Sequence, residues 1–175
     1  MSIGDGAFHF SASGFPDAKD LQEATRIRLA AWHIVTGVDV PYCAGYSQHP
    51  RKRIVYIDKD VPQFWIDARG KQLDVWHGPL FWHESIECDL LNAYPDEHYA
   101  GAHTIATYVE NMYVQALGFD PHAYENEFWA PLIKKIAARK RYERVPMDLD
   151  LRPYYQSDDE KLLSRMSFKP VEKAA

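Results

Sequence analysis

Cysteine is scarce in this 175-residue sequence: Cys43 and Cys88 are the only two, and they lie far apart. A disulfide framework is therefore excluded, and a reducing, cytoplasmic setting is expected. No apolar run approaches the roughly 18 residues of a membrane span, so no membrane association is expected. The stretch from Met1 to Asp17 lacks the basic segment and apolar run of a secretory signal. Positive charge is also in deficit. Twenty Lys and Arg stand against 25 Asp and Glu, a net charge of −5, which gives no general pull toward nucleic acid. There is no Gly-rich phosphate loop, no Cys pair at zinc-finger spacing and no internal repeat. Aromatic residues, by contrast, are plentiful at 14%, and 46% of the chain is hydrophobic, which suits one soluble domain with a packed core.

Periodicity then divides the chain. Residues 1–15 are rich in Gly and Ser and read as an irregular arm that Phe8, Phe10 and Phe15 can pin to the core. Pro16-Asp17 opens a helical pattern through Leu21, Ala24, Ile27, Arg28, Ala31, Ile34 and Val35, with Gly37 as its stop. Arg53–Asp58 is β-branched and aromatic and reads as a strand. Gln63–Ala68 and Lys71–Trp76 flank Arg69-Gly70 as a hairpin. From Pro79 the period is helical to about Asn92. A second helix runs from about His98 to Leu117 and a third from about Pro121 to Tyr142. Residues 1–145 are thus expected to form one α+β domain, with a small antiparallel sheet packed beside the helix at 79–92 and further helices. Residues 146–175 read as an extended tail, with a short helix between Glu160 and Met166.

The most informative segment is His83-Glu84-Ser85-Ile86-Glu87. On a helix, positions 83 and 87 project from one face, a turn apart, so an imidazole and a carboxylate can bind one metal ion at about 2.0–2.2 Å. Glu84 lies about 100° around the helix, near such an ion without being forced to ligate it. A carboxylate there can take a proton from a metal-bound water. The next helix offers a third ligand, His103. Glu110 lies seven residues beyond, about 10 Å further along the helix, so the two cannot both bind one ion. With His103 as ligand, Glu110 is an outer or packing residue; with the helix turned, Glu110 is the ligand. Clustering adds weight, since His77, His83, His98 and His103 are four of the eight histidines.

This segment resembles the signature of the zincin metallopeptidases, H-E-x-x-H on a helix followed by a downstream ligand, here with Glu87 in place of the second His. The resemblance covers roughly residues 53–117. It implies a zincin-like fold in which a small sheet, with an edge strand that aligns peptide substrate, precedes the active-site helix. It also implies His83 as first ligand, Glu84 as general base, Glu87 as second ligand and, by order and spacing, His103 as third. The expected function is a metal-dependent hydrolase acting on a peptide or protein, with zinc or another divalent transition metal such as iron or manganese. The alternative is a metal-free binding module on a degenerate zincin-like fold.

Other chemistries fare worse. A di-metal helix bundle needs Glu-x-x-His on two helices, and no Glu here has a His three residues later. Cys88 adjoins Glu87, which would dull a nucleophilic thiol, and a buried structural role suits both cysteines better. The basic run from Lys134 to Arg144 reads as the solvated face of a helix, with nucleic acid not expected as a partner. Composition is silent on the oligomeric state.

Overall fold

The computed structural model describes residues 17–96, 98–156 and 159–171. The arm at 1–15 and part of the tail lie outside these. The element order is α1 (Ala18–Leu29), β1 (His33–Val38), β2 (Ala44–Tyr46), β3 (Ile54–Asp58), β4 (Phe64–Ile66), β5 (Gln72–Asp74), α2 (Pro79–Ala93) and α3 (Tyr99–Ala116). There follow α4 (Pro121–Ala123), a π-helical stretch (Tyr124–Trp129), α5 (Ala130–Ala137), β6 (Tyr142–Pro146), α6 (Arg152–Gln156), α7 (Glu160–Leu163) and β7 (Met166–Lys169). The class is mixed α+β. None of the described helices is long and apolar enough to cross a membrane.

The first departure from the sequence reading is at residues 30–38. Asp17 caps α1 by accepting from the Asp20 amide at 2.8 Å, but the helix ends at Leu29. Ile34 and Val35 then lie in β1, where branched side chains lose less rotamer freedom than in a helix. Gly37, with φ of 73°, sits within a register shift of β1 and so marks an irregular strand, not a helix stop.

The second departure is a correction to the expected antiparallel sheet. Strands run in the order β1-β3-β2, with β1 parallel to β3 and β2 antiparallel to it, so the sheet is mixed. The parallel pair arises because the chain between β1 and β3 loops through β2, bringing β3 back alongside β1 in the same direction. The β4–β5 hairpin around Arg69-Gly70 forms as its turn residues predict, but as a separate two-stranded ribbon. Asp67 holds that turn by accepting from the Arg69 and Lys71 amides, both at 2.9 Å.

The third departure is the tail. It is not extended: β7 returns to pair in parallel with β6, and Leu149, Tyr154 and Met166 are buried in the common core. The third helix also stops at Ala137, freeing Tyr142 to enter β6 with its hydroxyl donating to the Ile136 carbonyl at 2.9 Å. Pro131 lacks the N–H that a regular α-helix would use there, and the backbone widens into the π-helical stretch just before it. Arg139, in the basic run, turns inward. Its guanidinium donates to both oxygens of fully buried Asp58 at 2.6 and 2.7 Å, and also to Asp39 and Asp60.

α2 lies between the mixed sheet and α3. Pro79 occupies its first turn, where no N–H is needed. Gly78 precedes it because a Cβ there would meet the Asp74 carbonyl oxygen at 2.6 Å and Tyr113 Cε1 at 2.9 Å. The helix buries Leu80, Phe81, Cys88 and Leu91, but also His83, Glu84 and Glu87. Three ionisable groups inside one helix are costly unless partnered, which points to the site they form.

Candidate metal centre

The turn after α2 is short, so α3 folds back along it and residues equidistant from Pro95-Asp96 meet. His83 thereby reaches Glu110, and Glu87 reaches His103. Three donor atoms converge. His83 Nε2 is 3.2 Å from His103 Nδ1, His103 Nδ1 is 3.0 Å from Glu87 Oε2, and His83 Nε2 is 3.5 Å from Glu87 Oε2. Two donors on a tetrahedral ion at about 2.05 Å would lie about 3.3 Å apart, so this triangle has the dimensions of one face of such a site. Among the described residues it is the one group of this kind. His83 and Glu87 are buried, whereas the His103 side chain is half exposed.

Glu110 stands behind the triangle. Its Oε2 is 2.8 Å from His83 Nδ1, and its Oε1 accepts from the Tyr124 hydroxyl at 3.0 Å and from Trp129 Nε1 at 3.1 Å. A carboxylate at Nδ1 fixes one ring proton there, so Nε2, the nitrogen facing the triangle, is the one whose proton a metal ion would displace. Of the two arrangements open from the sequence, the structure therefore puts His103 in the triangle and Glu110 in the outer position. Tyr124 and Trp129 escaped the sequence reading, because nothing in a single chain says which distant aromatic will face Glu110. Tyr99 was also missed. Its ring stacks on His103 at 5.3 Å and its hydroxyl lies 3.3 Å from His103 Nδ1; its place one helical turn before His103 was the available signal.

Glu84 is buried at 6% exposure and has no side-chain hydrogen bond among the described residues. Burial pushes its carboxyl up to about 8, opposed by the neighbouring His83 and reinforced by Glu87 and Glu110. For His83, burial acts to lower the pKa, but the carboxylates of Glu110 and Glu87 outweigh it and hold the imidazole well above its ordinary value. Burial acts to raise the pKa of Glu87, yet His103 and His83 hold that carboxyl below the usual range. Positive charge is thus strongly favoured where the lone pairs meet, and a divalent cation would supply it.

The remaining histidines of the cluster and the two cysteines lie outside the triangle. His77 pairs with Asp74 at 3.0 Å, and His98 caps α3 by accepting from the Ala100 amide at 3.2 Å. Cys43 and Cys88 are buried, and burial pushes each thiol up to about 12, which leaves neither as a nucleophile at neutral pH.

A cavity of about 570 Å³ opens onto the triangle, within the size range of small-ligand sites. His83, Glu84, Glu87 and His103 line it together with β2 and residues of α6, α7 and the loop before β7. Comparison of the chain with protein-family models, curated proteins and solved structures finds no match.

Proposed function

We propose that this protein is a metal-dependent hydrolase of amide bonds, with His83 Nε2, Glu87 Oε2 and His103 Nδ1 as ligands of one divalent transition metal, zinc first among them. The observation that carries the reading is the triangle of donors backed by Glu110, two of them from the His-Glu-x-x-Glu of α2 and the third from α3. The resemblance to the zincin signature supports the same assignment. The bound ion would act as a Lewis acid and lower the pKa of a coordinated water toward about 7.

Glu84 would do the rest of the proton work. Its carboxyl faces the same cavity beside the ligands, and the charge of a bound cation would favour its ionised form over the protonated one that burial favours. As a carboxylate it would take a proton from the attacking water as the new C–O bond forms at the amide carbon, and deliver it to the nitrogen as the C–N bond breaks. Glu110 keeps His83 in the ligating tautomer.

A zinc titration of the full chain by calorimetry tests the ligands. About one equivalent is expected to bind, and His83→Ala is expected to abolish it. Glu84→Gln is expected to retain the metal and to lose about 10²–10⁴-fold in hydrolysis of a labelled peptide library. Zinc release by Glu84→Gln comparable to that of His83→Ala would make Glu84 a ligand and overturn the assignment.

A second reading, a metal-free binding module, draws on one specific observation: His103 Nδ1 can donate to Glu87 and His83 Nε2 can accept, so the triangle also closes as a hydrogen-bonded network. A wild-type chain that binds no zinc would favour it.

A further inference from the structure

We propose that the cavity selects short substrates carrying a free carboxylate, and that Arg165 is the residue that holds it. This rests on the hydrolase reading for what happens to the substrate, though not for its binding.

The length limit comes from β2. Ser47 donates to the Ile54 carbonyl and Cys43 accepts from the Asp58 amide, so Cys43, Gly45 and Ser47 direct their backbone groups toward β3. Ala44, Tyr46 and Gln48 then direct theirs outward, along the open edge of the sheet. That edge is already taken from Tyr46 onward. The Asp150 amide donates to the Tyr46 carbonyl at 2.9 Å, the Gln48 amide donates to the Asp148 carbonyl at 2.7 Å, and Ser47 bridges to Leu149. Among the described residues, the Ala44 amide and carbonyl and the Tyr46 amide are the outward groups left for a ligand. An extended chain laid on β2 would meet Leu149 and Asp150 within about two residues, so a terminal fragment fits and the middle of a long peptide does not.

The carboxylate preference comes from charge. Arg165 is the one Arg or Lys among the described residues lining the cavity. The acidic residues of the wall are mostly engaged: Asp150 by Arg152, Asp159 by the Tyr42 hydroxyl, Glu110 by His83 and Glu87 by His103. Arg165 has no carboxylate partner among the described residues. Its Nη2 makes two long hydrogen bonds, to the Ala137 carbonyl at 3.4 Å and the Tyr142 hydroxyl at 3.2 Å, and its Nε is buried with no partner. The guanidinium rests over the Tyr142 ring at 5.4 Å, which holds its plane. Nε is closed to solvent and Nη2 is engaged, so the N–H groups of Nη1, which make no hydrogen bond among the described residues, are the ones a ligand can use. A carboxylate is the acceptor that best matches a half-buried guanidinium.

The carboxylate can come from a peptide C-terminus or from an acidic side chain. Three probes separate these by calorimetry on the full chain, with and without one equivalent of zinc: acetyl-glycyl-phenylalanine, its C-terminal amide, and acetyl-glycyl-glutamyl amide. We expect wild type to bind the acid at least about tenfold more tightly than the amide. Arg165→Gln should bring the two within about twofold, and Arg165→Lys, which keeps the charge but not the fork, should retain part of the preference. Tight binding of the glutamyl amide in place of the terminal acid would keep Arg165 as the anchor and make the side chain the source. Equal binding of acid and amide, binding of no probe, or a preference that both variants leave unchanged would overturn the proposal. If Arg165→Gln does not fold, the wild-type ratio and the Lys variant still decide it. A chain that prefers the acid but binds no zinc overturns the metal reading alone. One that binds zinc without preferring the acid overturns the anchor alone.

Discussion

Glu110 decides which nitrogen His83 turns toward the cavity, although it would touch no ion itself. The test is Glu110→Gln. The new amide keeps an oxygen for Tyr124 and Trp129, but its NH₂ now faces His83 Nδ1, so the imidazole proton must move to Nε2 and cap the lone pair that ligation needs. Zinc affinity is expected to fall by about 10–100-fold with little change in unfolding, as read by calorimetry and urea titration. Arg139 shows the same dependence in a structural setting. Burial opposes its charge, but Asp58 and Asp60 hold the guanidinium above its ordinary pKa. Arg139→Met would leave Asp58 and Asp39 buried without that partner. The expected cost is about 3–5 kcal/mol, seen as a lower urea midpoint, and a change below about 1 kcal/mol would show that the network is dispensable.

At the scale of elements, the α2–α3 hairpin makes the site. Neither helix alone could bring a third donor to His83 and Glu87, because residues on one helix separate by about 1.5 Å per position along its axis. The start of α2 is held in turn by close approach: the Gly78 backbone fits under Tyr113 of α3 and beside the Asp74 carbonyl. Gly78→Ala forces a methyl into that contact, and a loss of about 1–3 kcal/mol is expected in urea unfolding. Zinc affinity should fall with it if the hairpin register shifts.

For the whole molecule, the segment after β6 closes the wall of the cavity and ties back to the sheet through Asp148, which accepts from Ser47, Lys52 and Tyr56 at 2.8, 2.7 and 2.6 Å. Burial acts to raise the pKa of Asp148, but these three partners bring it down to about 2. An unfolded Asp titrates near ~3.9, so the folded chain holds its proton less tightly than the unfolded one. The stabilisation is therefore full above about pH 4 and is lost as pH falls toward about 2. The margin of wild type over Asp148→Asn in urea unfolding should be constant from about pH 5 to 7 and shrink between about pH 4 and 2. A margin that is flat across that window would show that Asp148 stays unpaired in solution.

Much of the site was legible in the chain because its first two donors and Glu84 lie within five consecutive residues, and helical spacing alone sets their directions. The helices at 79–93 and 99–116 and the turn at Arg69-Gly70 were legible for the same reason: period and turn chemistry are local. The fate of Ile34 and Val35 was not, since residues on a helical stripe can also serve a strand, and only the pairing of β1 with β3 selects between them. Nor was the choice between His103 and Glu110, seven positions apart on one face, which depended on how α3 settled against α2. The tie of the tail to the sheet and the blocked edge of β2 are products of contacts between segments about 100 residues apart, and Arg165 is placed by Ala137 and Tyr142, 28 and 23 positions away. Local sequence determined which chemistry the chain can offer. Packing decided which groups meet, because the energy of burying charged groups depends on partners that no short window of sequence contains.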